Sequence, residues 1–160
     1  MKIVLFDLGY TLEHDLENKH VTMPGALKLL SAITEMLDQN GKSPVLALVS
    51  DFDRPAAEYY RIIEGLQIDK FFKPYPERIT LSKDIGYIKP DKRFFRAAID
   101  KIHIDLPFQN VIFVTENKYH ITEARKLGMM TLRLKIPNDL EEGVDSLPEM
   151  IPFIHLFILI

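Results

Sequence analysis

The sequence has no cysteine. That excludes disulfides, a thiolate nucleophile and any cysteine-based zinc site, and a cytoplasmic setting is expected. Long hydrophobic runs are also missing. The most apolar stretch, Ile151 to Ile160, is broken by Pro152 and His155 and falls well short of the ~18 residues that a membrane span needs. At the other end, Asp7 cuts the run Ile3–Phe6 short, so no secretory signal core forms there. Neither sign of charge dominates. A formal net charge of -3 gives no reason to expect a nucleic-acid partner. Internal repeats and low-complexity segments are absent as well.

What remains is the composition of an ordinary globular protein. The chain has 160 residues, 47% hydrophobic and 27% charged. One domain over 1–160 is expected, large enough to bury a core without covalent staples.

Short apolar runs alternate with helical periodicity. Ile3–Phe6, Pro44–Val49, Ile79–Leu81, Val111–Val114 and Met130–Leu134 read as strands, buried on both faces where the run is continuously apolar. A helix is expected from Met23-Pro24-Gly25, with Thr22 as N-cap, through Leu27, Leu30, Ile33, Met36 and Leu37 to Asn40-Gly41. Others are expected over Pro55–Leu66, from Pro90 through Phe94, Phe95, Ala98, Ile99 and Ile102, and from Tyr119 to Leu127 before Gly128. Glu13–Thr22 reads as a polar surface loop, and the apolar tail as a C-terminal helix. Strands alternating with helices predict right-handed βαβ units and a parallel sheet covered on both faces.

In such a sheet all strands end on one rim, where ligands bind. Asp7 with Thr11, Ser50, Lys89 and Thr115-Glu116 all fall on that rim or beside it. A carboxylate can attack phosphorus and form an aspartyl-phosphate. Hydroxyls and an ammonium can hold the phosphoryl oxygens. A second carboxylate would help hold Mg²⁺, which takes oxygen ligands.

Four segments together resemble the haloacid dehalogenase (HAD) superfamily of hydrolases. They are Phe6-Asp7-Leu8-Gly9-Tyr10-Thr11-Leu12, Val45–Ser50, Gly86-Tyr87-Ile88-Lys89-Pro90-Asp91, and Val111–Glu116 followed by Ala124-Arg125 and Leu127-Gly128-Met129. The resemblance implies an α/β fold, a doubly wound parallel sheet of Rossmann-like type. It also implies a phosphohydrolase acting on a phosphorylated substrate. Asp7 would be the nucleophile and Lys89 its catalytic and phosphate-binding partner. Thr11 and Ser50 would bind phosphate oxygens. Asp7, the Gly9 carbonyl and Glu116 would bind Mg²⁺, with Asp51 and Asp53 as alternative acids.

Two departures bear on activity. Gly9 stands where phosphatases of the superfamily usually carry a second aspartate for acid/base work. Thr115 and His120 stand where the fourth motif usually has acids, leaving Glu116 one residue late. Glu116 can serve only if the chain has already left strand geometry there, because successive strand residues face opposite sides. A weakened phosphatase is therefore expected, with a degenerate binding or regulatory module as the alternative. Nothing identifiable would cradle a halide. Too few residues separate Leu12 from the first helix to make a helical cap, and between Ser50 and Lys89 one helix and its return use up the chain, so no substantial cap is expected. The open site and the apolar tail, Phe153 to Ile160, suggest contact with a second copy; packing of that tail on the sheet is the competing expectation.

Overall fold

The computed structural model describes residues 1–160. In chain order the strands and helices are β1 (Ile3–Asp7), β2 (Glu13–Leu16), β3 (Lys19–Thr22), α1 (Ala26–Thr34), β4 (Val45–Ser50), α2 (Ala56–Gly65), α3 (Tyr75–Arg78), β5 (Ile79–Leu81), α4 (Ser82–Ile85), α5 (Lys92–Asp100), β6 (Val111–Thr115), α6 (Lys118–Lys126), β7 (Met130–Arg133) and α7 (Ile151–Leu159). Five strands form one sheet in the order β5-β4-β1-β6-β7, and every pairing in it is parallel. β1 is the central strand, and its five residues are all buried.

Strand alternation sorts the core into two layers. Val4, Phe6, Leu46, Leu48, Ile112 and Val114 face one side and pack against α1, α2 and α7 through Leu30, Ile63 and Phe157. Ile3, Leu5, Ala47, Val49, Val111 and Phe113 face the other, against α5 and α6 through Phe94, Phe95, Ile99 and Ala124. This is the doubly wound arrangement expected from the alternating segments.

Three local expectations need correction. Glu13–Thr22 is not a loop: β2 and β3 pair antiparallel, with Leu16 opposite Lys19. Glu17 and Asn18 make the turn, both with positive φ, which is the geometry of a two-residue hairpin turn. The usual glycine is missing from that turn, which hid it. Next, α1 ends at Thr34 rather than Asn40-Gly41, and Leu37 is half exposed although it keeps the helical period. Finally, Thr22 does not cap α1. Its hydroxyl donates to the Leu66 carbonyl, and Gly25 occupies the N-cap. The small hairpin is the only structure between Leu12 and α1, so no cap domain covers the rim.

The C-terminal stretch is a helix, as expected. Ile154, Phe157 and Ile158 are buried in the first layer, while Phe153, Leu156 and Ile160 stay exposed. No helix is long and apolar enough to cross a membrane.

Gly25 shows how tightly this layer closes. Its φ is +82°, and a Cβ there would lie 2.5 Å from Pro148 Cδ. Gly25→Ala is expected to cost about 1–3 kcal/mol through backbone strain and overlap, read from urea denaturation. An unchanged midpoint would show that the Pro148 segment yields freely.

Candidate active site

The carboxyl ends of β1, β4 and β6 bring the rim residues together. Asp7 ends β1 and is almost buried. Lys89, on the loop before α5, sends its ammonium to Asp7 Oδ1 at 2.5 Å, and only 3% of its side chain is exposed. A second ammonium proton is directed to the Val49 carbonyl at 3.3 Å. An ammonium carries three donors, so one remains for a ligand. The Lys89 backbone N–H is tied to Asp51 Oδ1 at 2.9 Å, which anchors the loop to the end of β4. The Leu8 N–H also donates to Asp7 Oδ1 at 3.0 Å.

The other oxygen of Asp7 faces β6. Thr115 Oγ1 lies 3.1 Å from Asp7 Oδ2 and 3.2 Å from Glu116 Oε2. With a single proton, this hydroxyl serves one carboxylate at a time. Thr11 Oγ1 donates to Glu116 Oε2 at 3.0 Å and accepts from the Glu116 N–H at 3.3 Å. β6 ends at Thr115, so Glu116 has left the strand, and its carboxylate turns toward Asp7. Burial, and then the negative charge of Asp7, hold the Glu116 carboxyl above its ordinary range. The Arg133 guanidinium donates to the Glu116 carbonyl at 2.9 Å and fixes that corner.

Ser50 lies on the same rim but has another partner. Its Oγ is 2.7 Å from Tyr59 Oη. It follows Val49, so its side chain belongs to the layer opposite Asp7. Gly9 is exposed, and a Cβ there would meet nothing within 4 Å. Asp53 is exposed. His120 sits in the first turn of α6, whose N-cap is Asn117. Its Nδ1 is buried without a partner. Burial, and then the Lys89 charge, push its pKa down, so the ring is neutral.

No protein-family profile matches the chain, and no curated protein does. Solved structures do. A HAD phosphatase from Thermococcus onnurineus superposes with a TM-score of 0.71 at 13% identity, over 96% of this chain and 98% of that one. A dehalogenase superposes with a TM-score of 0.75 at 14% identity, over 96% of each chain. The chain has the HAD fold. The HAD-hydrolase YfnB of Bacillus subtilis, solved with magnesium bound, gives a TM-score of 0.63 at 18% identity over 82% of this chain. This chain spans 55% of YfnB's length.

Within the HAD fold the donors for a cation are oxygens. Asp7 and Glu116 converge on one hydroxyl, and burial, then the charge of Asp7, raises the Glu116 pKa. No group of three or more His, Cys, Asp or Glu side chains gathers to hold a metal. Two carboxylates are nevertheless enough for Mg²⁺, which keeps several waters and substrate oxygens as ligands. The donor set therefore fits that ion.

Reading the sequence missed Thr115 as a link between the two carboxylates, and Tyr59 as the partner of Ser50. The Thr115 link had a signal. Val111, Phe113 and Thr115 share one strand face, as do Ile3, Leu5 and Asp7, so parallel pairing places Asp7 beside Thr115.

Two predictions follow from these contacts. Lys89→Met leaves a buried carboxylate without its counter-charge and is expected to cost about 3–5 kcal/mol. Adding Asp7→Asn should recover much of that loss in chemical denaturation; a double variant no more stable than Lys89→Met would contradict it. The second concerns pH. With its pKa raised, folded Glu116 holds a proton more tightly than the unfolded chain does. Its contribution to stability is complete below the ordinary carboxyl range and is lost as pH rises through the raised value. In metal-free buffer Glu116→Gln should flatten that loss, and a pH–stability curve that tracks wild type would count against it.

Proposed function

We propose that the chain is a hydrolase that cleaves phosphate esters through an aspartyl-phosphate on Asp7, with turnover limited by the missing side chain at Gly9. The observation that carries this reading is the buried Lys89–Asp7 pair at the open end of the central strand. Lys89 and Leu8 occupy Asp7 Oδ1, which leaves Oδ2, held only by Thr115, as the attacking oxygen. The third Lys89 proton would bind a phosphoryl oxygen. Thr11 and Ser50 would bind others, each exchanging the partner it now holds, Glu116 or Tyr59. Mg²⁺, when bound, would be held by Asp7, Glu116 and the Gly9 carbonyl and would supply counter-charge to the phosphoryl group. Attack forms the bond from Asp7 oxygen to phosphorus and breaks the ester P–O bond, whose electrons leave on the alcohol oxygen. Water then displaces Asp7 from phosphorus and releases phosphate.

Gly9 supports a second reading, a binding or regulatory module that keeps the fold and the phosphate cradle. The two readings differ in turnover. Purified protein is expected to release phosphate from a panel of phosphate esters with Mg²⁺, and to lose this with chelator and in Asp7→Asn. Equal residual rates in wild type and Asp7→Asn would leave only the binding role. Because the space beside Gly9 is open, Gly9→Asp should raise turnover of alkyl phosphates. General acid–base catalysis sets a ceiling of about 10²–10⁴-fold on that gain.

A further inference from the structure

Beside the site, sharing Glu116 with it, lies a cleft of about 450 Å³ whose walls also include Tyr10, Tyr119 and Ile136. The cleft is shallow and open to solvent, so a ligand there would lie against its walls rather than be enclosed. Tyr10, Tyr119 and Ile136 are 56%, 63% and 51% exposed, large apolar groups beside a polar centre. Tyr10 has a φ of +56°, rare for a residue with a side chain. Around it the Leu8 carbonyl accepts from the N–H groups of Thr11, Leu12 and Glu13, so the turn that displays the ring is well anchored. Beyond Tyr10 and Ile136, which both hollows share, lies a second hollow of about 440 Å³ with Met23, Pro24 and Leu147 in its walls.

The cations of the cleft are each paired with carboxylates. Lys118 pairs with Glu141 at 2.7 Å and with Asp139 at 3.6 Å. Arg133 is held by Asp139 and by the carbonyls of Glu116 and Glu142. The cleft therefore offers ring faces beside cations whose charge neighbouring carboxylates already balance.

We propose that this cleft is the leaving-group subsite for an aromatic ring, and that the substrates are phosphate monoesters of phenol type. The inference rests on the hydrolase reading of Asp7. A second observation points the same way. Gly9 supplies no proton to a departing oxygen. A phenolic oxygen ionises near pH ~10, whereas water does so at ~15.7, and alkyl alcohols lie close to water. The P–O bond to a phenol can break with its electron pair left on the phenolate, which takes its proton from solvent in the open site. Alkyl esters gain far more from an acid at position 9.

Calorimetry with Mg²⁺ present would compare phenylphosphonate with cyclohexylphosphonate, which have similar size but differ in aromaticity. Phenylphosphonate is expected to bind about three- to tenfold more tightly, the scale of aromatic pairing. The ratio should fall to near one in a Tyr10→Leu, Tyr119→Leu double variant. It should survive in the matching Tyr→Phe variant and in Ile104→Ala, which alters an exposed residue in the loop after α5. Equal binding in wild type, or a preference that survives the Leu variant, overturns the subsite. In turnover assays, Gly9→Asp should raise the rate on n-hexyl phosphate by a larger factor than on phenyl phosphate, and equal factors overturn the leaving-group argument. If no ester is cleaved faster by wild type than by Asp7→Asn, the hydrolase reading falls, and calorimetry alone still decides for or against the ring-binding subsite.

Discussion

Asp7 and Lys89 stand 82 positions apart, yet the ammonium of one lies 2.5 Å from the carboxylate of the other, and both are nearly out of water. Neither charge could be buried alone at a tolerable cost. The pair therefore ties the end of β1 to the loop before α5. Asp51, at the end of β4, holds that loop from the other side through the Lys89 N–H. Thr115, at the end of β6, completes the ring around Asp7. The ends of three neighbouring strands are thus locked to one carboxylate, and the rim is organised before any ligand arrives. In the proposed reaction, a carboxylate positioned this way would lose little freedom on attack, which is where much of the advantage of a prepared site lies.

The same rim is thinly supplied with protons. Gly9 has no side chain, and His120, though neutral and buried at Nδ1, is held in the first turn of α6. The negative charge is concentrated instead on Asp7 and Glu116, which share the Thr115 hydroxyl and repel each other. Such a centre favours a cation over a neutral ligand. Under the proposed ester cleavage, its chemistry would depend on how readily the departing oxygen accepts negative charge, and the aromatic walls beside it bear on that same question.

The fold was largely legible because burial on two faces leaves a strong mark. Continuous runs such as Ile3–Phe6 and Val111–Val114 are short and rich in β-branched and aromatic residues, which marks them as strands between two layers, and Phe94, Phe95, Ala98 and Ile99 repeat at helical spacing. Legibility failed where local signals were weak or were overruled. The β2–β3 hairpin turns on Glu17-Asn18, where the backbone adopts positive φ without a glycine to announce it. α1 stops at Thr34 although the apolar period runs on to Leu37, and Met36 packs into the core from outside the helix. Thr22 had the right chemistry for a cap, but the Leu66 carbonyl offered its hydroxyl a tertiary partner.

The candidate site divides in the same way. The sequence alone pointed to the groups on the rim: Asp7, Ser50 and Glu116 follow apolar runs, Thr11 stands in the first loop, and Lys89 precedes a helix start. It also determined what is missing, since Gly9 has no side chain in any fold. Only the tertiary structure decided which of these groups meet. Glu116 joined Asp7 because β6 ends one residue before it, and Ser50 turned to Tyr59 because strand alternation put it on the other layer. One residue of register separates those outcomes. In a pleated sheet that one step reverses the direction of a side chain, and composition and spacing carry no record of where a strand stops.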